Sequence, residues 1–158
     1  AGQFVRMMEE RFNQKTAGLN FSEQELVLAS IVERESVKDD ERATVAGIFQ
    51  NRLNSGMRLE SDPTVFYAND SNQIMNITSY DVTQYTFWKP ISFSLYRTID
   101  SPYNTYLYQG LPPKPICSPS IASIKAAMNP ELNDYFFFFH PNSPATTQPL
   151  SFLCPCFL

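Results

Sequence analysis

Glu35 has the position best suited to acid–base chemistry. At about 100° per residue it falls near the middle of an apolar helix face. That face carries Val27, Leu28, Ile31 and Val32. Apolar surroundings raise the pKa of a carboxyl, because desolvation disfavours its charged form. Such a group can donate a proton near neutral pH, which glycosidic cleavage requires.

A structural role for Glu35 is the alternative. The carboxylate could pair with Arg34, Arg42 or Arg52 and only hold helices together. Glu33 points almost the opposite way on the same helix and is not a candidate for the same site. Position alone leaves both roles for Glu35 open.

Further polar residues lie where predicted elements end, namely Asn51, Arg52, Asp62 and Thr64. Residues of these types either cap helices and form turns or contact a ligand. A Pro-flanked segment also alternates aromatic and amide side chains at Tyr103, Asn104 and Tyr106. Such a segment would suit a groove that binds sugars, or it could be ordinary strand packing.

Three helices are predicted around Glu35. Phe4, Met8 and Phe12 recur with helical spacing in residues 1–20. A capping box, Ser22 with Glu25, starts the helix that carries Glu35. Residues 39–56 form the next helix, with acidic residues at its start and Gly56 after its end.

The remainder of the chain is less regular. Asp62-Pro63 predicts a break, and residues 64–67 have strand propensity. Residues 69–101 form a long excursion without an assigned structure. A short helix is predicted from Ser120 to Met128, and a strand from Tyr135 to Phe139.

These elements predict an α+β fold, a small mixed domain with a buried catalytic helix and a few antiparallel strands. Three parts are expected: an N-terminal helix at 1–21, a catalytic domain at 22–139, and a tail at 140–158. The tail is rich in Pro, Ser and Thr, and we expect it to be disordered or truncated.

Composition excludes several classes. The chain has 158 residues and a net charge of −4, without a basic stripe, so no nucleic-acid partner is expected. Three cysteines and the single His140 lack the spacing of a metal site. No apolar run approaches the ~18 residues of a membrane helix, and no signal peptide opens the chain.

Four ordered blocks resemble the YceG-like family of MltG-type endolytic murein transglycosylases. They are residues 28–36 (LASIVERES), 47–53 (GIFQNRL), 56–65 (GMRLESDPTV) and 103–113 (YNTY through GLPP). Together they lie within residues 22–138. The sequence departs from the family pattern at 118–120, where SPS replaces Asn-Pro-Gly, and at 84–97, which has no recognised counterpart.

The resemblance implies that Glu35 is the catalytic acid/base of a peptidoglycan lytic transglycosylase. It would cleave the bond between N-acetylmuramic acid and N-acetylglucosamine in nascent strands, form a 1,6-anhydro end and so terminate polymerisation. The residues expected to bind substrate are Asn51, Arg52, Asp62, Thr64, Tyr67, Tyr103, Asn104, Thr105 and Tyr106. No cofactor or metal is expected.

The resemblance also implies glycan strands and peptidoglycan synthases as partners. The full-length protein would be membrane-anchored at the extracytoplasmic face of a bacterial membrane, with this chain a soluble part of it. Two other functions stay open: a hydrolytic muramidase that pairs Glu35 with Asp62, and a glycan-binding fragment without activity. An older family label, aminodeoxychorismate lyase, implies pyridoxal phosphate, but the sequence has no Gly-rich phosphate loop.

Overall fold

The computed structural model describes residues 2–77, 84–139 and 151–153. Within them are five α-helices: α1 Gly2–Thr16, α2 Glu23–Glu35, α3 Arg42–Asn54, α4 Asp62–Ile74 and α5 Ile121–Met128. Two 3-10 helices occur at Asp39–Glu41, directly before α3, and at Phe93–Leu95. Strand β1 spans Phe137–Phe139 and pairs antiparallel with β2, Ser151–Leu153.

The described residues are therefore mostly helical. The predicted α+β fold with a few antiparallel strands is not confirmed, since this part of the chain contains only the short β1–β2 pair. The strand expected at Tyr135–Phe139 begins at Phe137. Except for β2, the predicted tail lies outside the described residues, and the three-part division of the chain stays a prediction.

Helix α2 is the centre of the packing. It contacts α3, α4 and α5, and its six residues from Val27 to Val32 are all buried. Helices α3 and α5 also contact each other, so the three form one core. The prediction of a deeply buried helix leading to Glu35 is confirmed.

Local sequence signals explain where the core helices begin and end. The capping box at Ser22 and Glu25 is present, with both reciprocal bonds. Gly56 has φ +66°, and the bonds Gly56 N–H to Leu53 O and Met57 N–H to Arg52 O close α3 in a Schellman motif. Ser120 caps α5 as predicted.

Residues 64–67 do not form a strand, so that prediction is wrong. They belong to α4, which starts at Asp62. The predicted break at Asp62-Pro63 is absent, because proline is tolerated in the first helical turn, where a backbone N–H would have no helical acceptor. Thr64, Val65 and Ala68 are buried with helical spacing, so packing overrides their β propensity.

The segment that follows α5 lies directly on α3. A Cβ at Gly47 would overlap the carbonyl oxygen of Glu131 and come within 2.7 Å of Asn133 Nδ2. The N–H of Glu131 donates to the Ala43 carbonyl at 2.9 Å. Gly47 thus permits a close backbone approach that holds residues 131–133 against the helix.

Helix α1 confirms the predicted N-terminal helix and packs on the rest of the structure through few side chains. Phe12 packs edge-on against Phe21, with ring centroids 6.3 Å apart, while most of α1 is exposed. No helix among the described residues is both long and apolar enough to cross a bilayer.

Candidate active site

A cavity of about 240 Å³ lies at the C-terminal end of α2. Helix α3 and the turn that enters α4 form two of its sides, and Tyr106 and β1 close it. The lining residues are Glu35, Phe49, Arg52, Glu60, Asp62, Tyr106 and Phe138. The rings of Phe49 and Phe138 meet edge-on at 5.8 Å, which makes one wall apolar.

Glu35 presents its carboxyl to this cavity and is partly buried. The hydroxyl of Ser61 donates to its Oε1 at 2.6 Å. Among the described residues no ion pair within 4.0 Å joins Glu35 to an arginine. The alternative in which Glu35 is a structural salt bridge therefore lacks its partner.

Glu33 has the opposite surroundings, as its helical position predicts. Its Oε2 accepts bonds from Arg42 at 3.2 Å and from the hydroxyls of Ser120 and Ser123 at 2.6 and 2.7 Å. These groups come from α3 and from the start of α5. Glu33 is a structural link between helices, and its hydrogen bonds and the charge of Arg42 keep its pKa low despite partial burial.

The surroundings of Glu35 raise its pKa to about 7. Desolvation is the main cause, and the negative charge of Asp62 acts in the same direction. The Ser61 hydrogen bond and the positive charge of Arg52 lower the pKa but do not cancel the increase. A carboxyl of this kind keeps its proton near neutral pH and can give it to a leaving oxygen.

Ser61 was not among the predicted site residues. It is the N-cap residue of α4, yet its side chain makes no capping bond to the helix. Its backbone N–H instead donates to Thr105 Oγ1 at 3.0 Å, and its hydroxyl faces Glu35. A serine before Asp-Pro predicts a cap, and only the tertiary structure directs the hydroxyl to the carboxyl.

Asp62 and Tyr106 form a hydrogen-bonded pair beside Glu35. The Tyr106 hydroxyl donates to Asp62 Oδ1 at 2.6 Å. Burial, followed by this bond and the charge of Asp62, holds the Tyr106 pKa far above its usual value, so the phenol stays protonated. The pair places a carboxylate and a neutral phenol in the same cavity as Glu35.

Arg52 is buried and lines the cavity. Its Nε donates to the Phe136 carbonyl at 2.7 Å, and a second guanidinium nitrogen donates to the Leu59 carbonyl. These bonds join α3 to the turn before α4 and to the residue before β1. Arg52 thus fixes two walls of the cavity and supplies its positive charge.

The structure does not bring Asn51 or Thr64 to the cavity lining. Asn51 Nδ2 donates to the carbonyls of Asn133 and Tyr135 at 2.8 and 2.9 Å. Thr64 is fully buried, and its hydroxyl bonds the Ser61 carbonyl at 2.6 Å. Both side chains stabilise turns near the site, and substrate binding by them stays a prediction.

Asn104 and Thr105 are also buried away from the lining. Asn104 Nδ2 donates to the carbonyls of Tyr96 and Ile99 at 2.7 and 2.8 Å, and its Oδ1 accepts from the Tyr106 N–H. Thr105 Oγ1 lies 2.8 Å from Thr64 Oγ1. These residues hold the segment that carries Tyr106, and their assignment to substrate binding stays a prediction.

Tyr67 and Tyr103 belong to a separate aromatic cluster outside the cavity lining. Their ring centroids are 4.8 Å apart, and Trp88 lies 6.2 Å from Tyr67. The Arg34 guanidinium is 4.0 Å from the centre of the Trp88 ring, a cation–π contact. Arg34 therefore contacts Trp88 while its neighbour Glu35 faces the cavity.

Sequence reasoning also missed Glu60, Phe49 and Phe138. Glu60 has φ +46°, an uncommon conformation for a residue other than glycine, and lies directly before Ser61. Its position inside the block 56–65 was the available signal. No group of three or more metal-ligating side chains occurs in the part of the chain that the structure describes.

The sequence model of the YceG-like family matches residues 1–149. A crystal structure of a putative yceG-like protein from Listeria monocytogenes superposes with a TM-score of 0.63 at 30% identity, covering 94% of this chain and 41% of that one. The chain belongs to the YceG-like family.

Curated relatives carry one name, endolytic murein transglycosylase. The protein from Bacillus subtilis (strain 168) is 35% identical over 113 residues, 72% of this chain and 27% of its own length. One from Streptococcus pneumoniae (strain D39) is 36% identical over 113 residues, 18% of its length. The chain thus spans only about a fifth to a quarter of these relatives.

Proposed function

We propose that this chain carries the catalytic site of a peptidoglycan lytic transglycosylase that cuts glycan strands internally, with Glu35 as its acid and base. The observation that carries the proposal is a partly buried carboxyl in a cavity, with a pKa raised to about 7. The names of the relatives and the family membership support it.

In the first step, Glu35 gives its proton to the oxygen between N-acetylmuramic acid and N-acetylglucosamine. Loss of the leaving sugar creates positive charge at C1, which the Glu35 carboxylate and the nearby Asp62 can stabilise. Glu35 then takes the proton of the muramic C6 hydroxyl, and that oxygen bonds to C1. The products are a 1,6-anhydro end and a free hydroxyl, and no water is consumed.

The local contacts support this cycle. The Ser61 hydroxyl can donate to Glu35 whenever the carboxylate is formed, at the observed 2.6 Å. The positive charge of Arg52 also stabilises the anionic state of Glu35, although the two side chains form no close ion pair. Under this proposal, the full-length protein acts at the extracytoplasmic face of the membrane. It ends the elongation of nascent glycan strands and works beside peptidoglycan synthases.

The test is product analysis on uncrosslinked glycan strands. Wild type should release anhydro-ended fragments, and Glu35→Gln should lose cleavage by at least about 10²-fold, because the side chain can no longer donate a proton. Glu33→Gln is the matched control on the same helix. It should lower the melting temperature, because Glu33 joins helices, but keep cleavage. Normal cleavage by folded Glu35→Gln would contradict the proposal.

A hydrolytic muramidase is the second candidate, because Asp62 lines the same cavity as Glu35. Its second carboxylate would activate water or attack C1. Mass spectrometry separates the two, since hydrolytic ends carry one additional water. Asp62→Asn should also lose most activity in a hydrolase, but keep substantial activity in a transglycosylase whose nucleophile is the substrate's own hydroxyl.

A further inference from the structure

An exposed aromatic ring lies next to the cavity wall. Phe93, in the 3-10 helix Phe93–Leu95, is 69% exposed. Its ring centroid is 5.0 Å from that of Tyr96 and 6.3 Å from that of Tyr106. Tyr106 lines the Glu35 cavity, so Phe93 is not itself part of the lining but lies one ring contact away from it.

The segment that carries Phe93 is fixed to the domain on both sides of the ring. Before it, the Tyr85 hydroxyl and the Trp88 N–H each donate to the Asp70 carboxylate at 2.8 Å. After it, the Tyr96 carbonyl accepts from Asn104 at 2.7 Å. Asp70 and Asn104 are both buried, so these anchors hold Phe93 at a defined place on the surface.

The small size of the cavity indicates that a glycan strand would extend beyond it, where this ring could contact the strand. At about 240 Å³ it is smaller than the ~300–1,000 Å³ typical of pockets that enclose a ligand. A polymer cut in its interior must continue past the cavity on both sides. An exposed apolar ring contiguous with the lining offers such a strand a contact surface.

We propose that Phe93 is a stacking platform for a pyranose ring of the glycan strand, outside the linkage that is cleaved. The inference rests on the proposed function, because it takes the occupant to be the same glycan. Phe93 would bind and position the strand and take no part in proton transfer. Its loss should therefore weaken binding of strands while the chemical step continues.

Binding can be measured without cleavage in the Glu35→Gln background. Calorimetric titration with uncrosslinked glycan strands should show about three- to tenfold weaker binding when Phe93→Ala is added. Phe93→Trp should bind within about twofold of the parent. Phe87→Ala is the matched control: Phe87 is 45% exposed on the same segment, but its ring meets Tyr85.

Kinetics give a second readout. In the chain with Glu35 intact, Phe93→Ala should raise KM for long strands by about the same factor and leave kcat within about twofold. Unchanged affinity and KM in Phe93→Ala would overturn the inference. So would a dimer that Phe93→Ala dissociates without an effect on glycan binding, because the ring would then join copies of the chain.

The two proposals fail in different ways. If the wild-type chain does not cleave glycan, the proposed function fails, while the calorimetric comparison still decides whether Phe93 binds it. If cleavage depends on Glu35 but Phe93→Ala binds like its parent, only the platform is wrong.

Discussion

The Ser61 hydroxyl donates a hydrogen bond to Glu35 Oε1 over 2.6 Å and joins the end of α2 to the start of α4. Ser61 is an N-cap residue that gives its side chain to a carboxyl instead of to its own helix. The bond favours the ionised state of Glu35, whereas desolvation and Asp62 favour the neutral state. The proton affinity of Glu35 is therefore set by competing contacts that mutation can remove one at a time.

The pH dependence of cleavage should follow this competition. Protonated Glu35 starts the reaction, so kcat/KM of wild type should fall as the pH rises through about 7. Ser61→Ala removes a contact that lowers the pKa and should move this decline to higher pH. Asp62→Asn removes a charge that raises the pKa and should move it to lower pH.

The measurement is kcat/KM on uncrosslinked glycan between pH 5 and 9, roughly two units either side of the expected transition. Glu9→Gln on the exposed surface of α1 is the control and should leave the profile unchanged. Shifts of Ser61→Ala and Asp62→Asn in the same direction would contradict the assignment of the transition to Glu35.

The raised pKa of Glu35 should also make the free energy of unfolding depend on pH. Glu35 has a folded-state pKa of about 7 against an ordinary value of 4.5, so the folded chain holds this proton more tightly. As the pH rises across that window the unfolded chain loses its proton first, and the free energy of unfolding falls. Glu35→Gln has no proton to lose and should gain stability relative to wild type by up to about 3 kcal/mol.

Urea unfolding of both chains at several pH values checks this. The difference between Glu35→Gln and wild type should grow from about pH 4.5 and level off above about 7. Glu25→Gln should show the opposite sign at lower pH, because hydrogen bonds from Ser22 lower the pKa of that carboxyl: it should lose stability relative to wild type as the pH rises to about 4.5 and stay level above it. A difference between Glu35→Gln and wild type that does not vary with pH would mean that Glu35 titrates normally.

The sequence predicts the helix that carries Glu35 because every local signal there agrees. The capping box, the apolar face and the Glu33/Glu35 contrast all depend on neighbours within one or two turns. Ser61 could not be predicted, because its partner lies 26 residues away and its local environment predicts a cap. Residues 64–67 form helix instead of the predicted strand because the burial of Thr64 and Val65 within α4 outweighs β propensity.

Asn104 shows how a motif residue can serve a site without touching it. Its buried side-chain amide donates to the Tyr96 and Ile99 carbonyls and accepts from the Tyr106 N–H. Asn104→Ala leaves buried polar groups without partners and should lower the free energy of unfolding by about 3 kcal/mol. Asn76→Ala, which removes one exposed bond to the Asn72 carbonyl, should change it by less than about 0.5 kcal/mol.

Chemical denaturation of the two asparagine variants measures the comparison. Glycan binding by folded Asn104→Ala adds a second readout. If Asn104 acts only by holding the segment 96–106, its loss weakens glycan binding indirectly, by displacing Tyr106. If Asn104→Ala is as stable as wild type and loses glycan affinity alone, the amide contacts substrate as the sequence predicts and the buried network is not its main role.

Gly47 tests the packing behind the cavity. An added Cβ would overlap the Glu131 carbonyl and crowd Asn133 Nδ2 at 2.7 Å, and the backbone there has little room to move. Although alanine favours helices, Gly47→Ala should therefore lower the free energy of unfolding by about 1–3 kcal/mol. Gly2→Ala, whose Cβ meets nothing within 4 Å, should change it by less than about 0.5 kcal/mol. Thermal and urea unfolding decide the point, and a Gly47→Ala chain as stable as Gly2→Ala would show that residues 131–133 do not lie this close to α3.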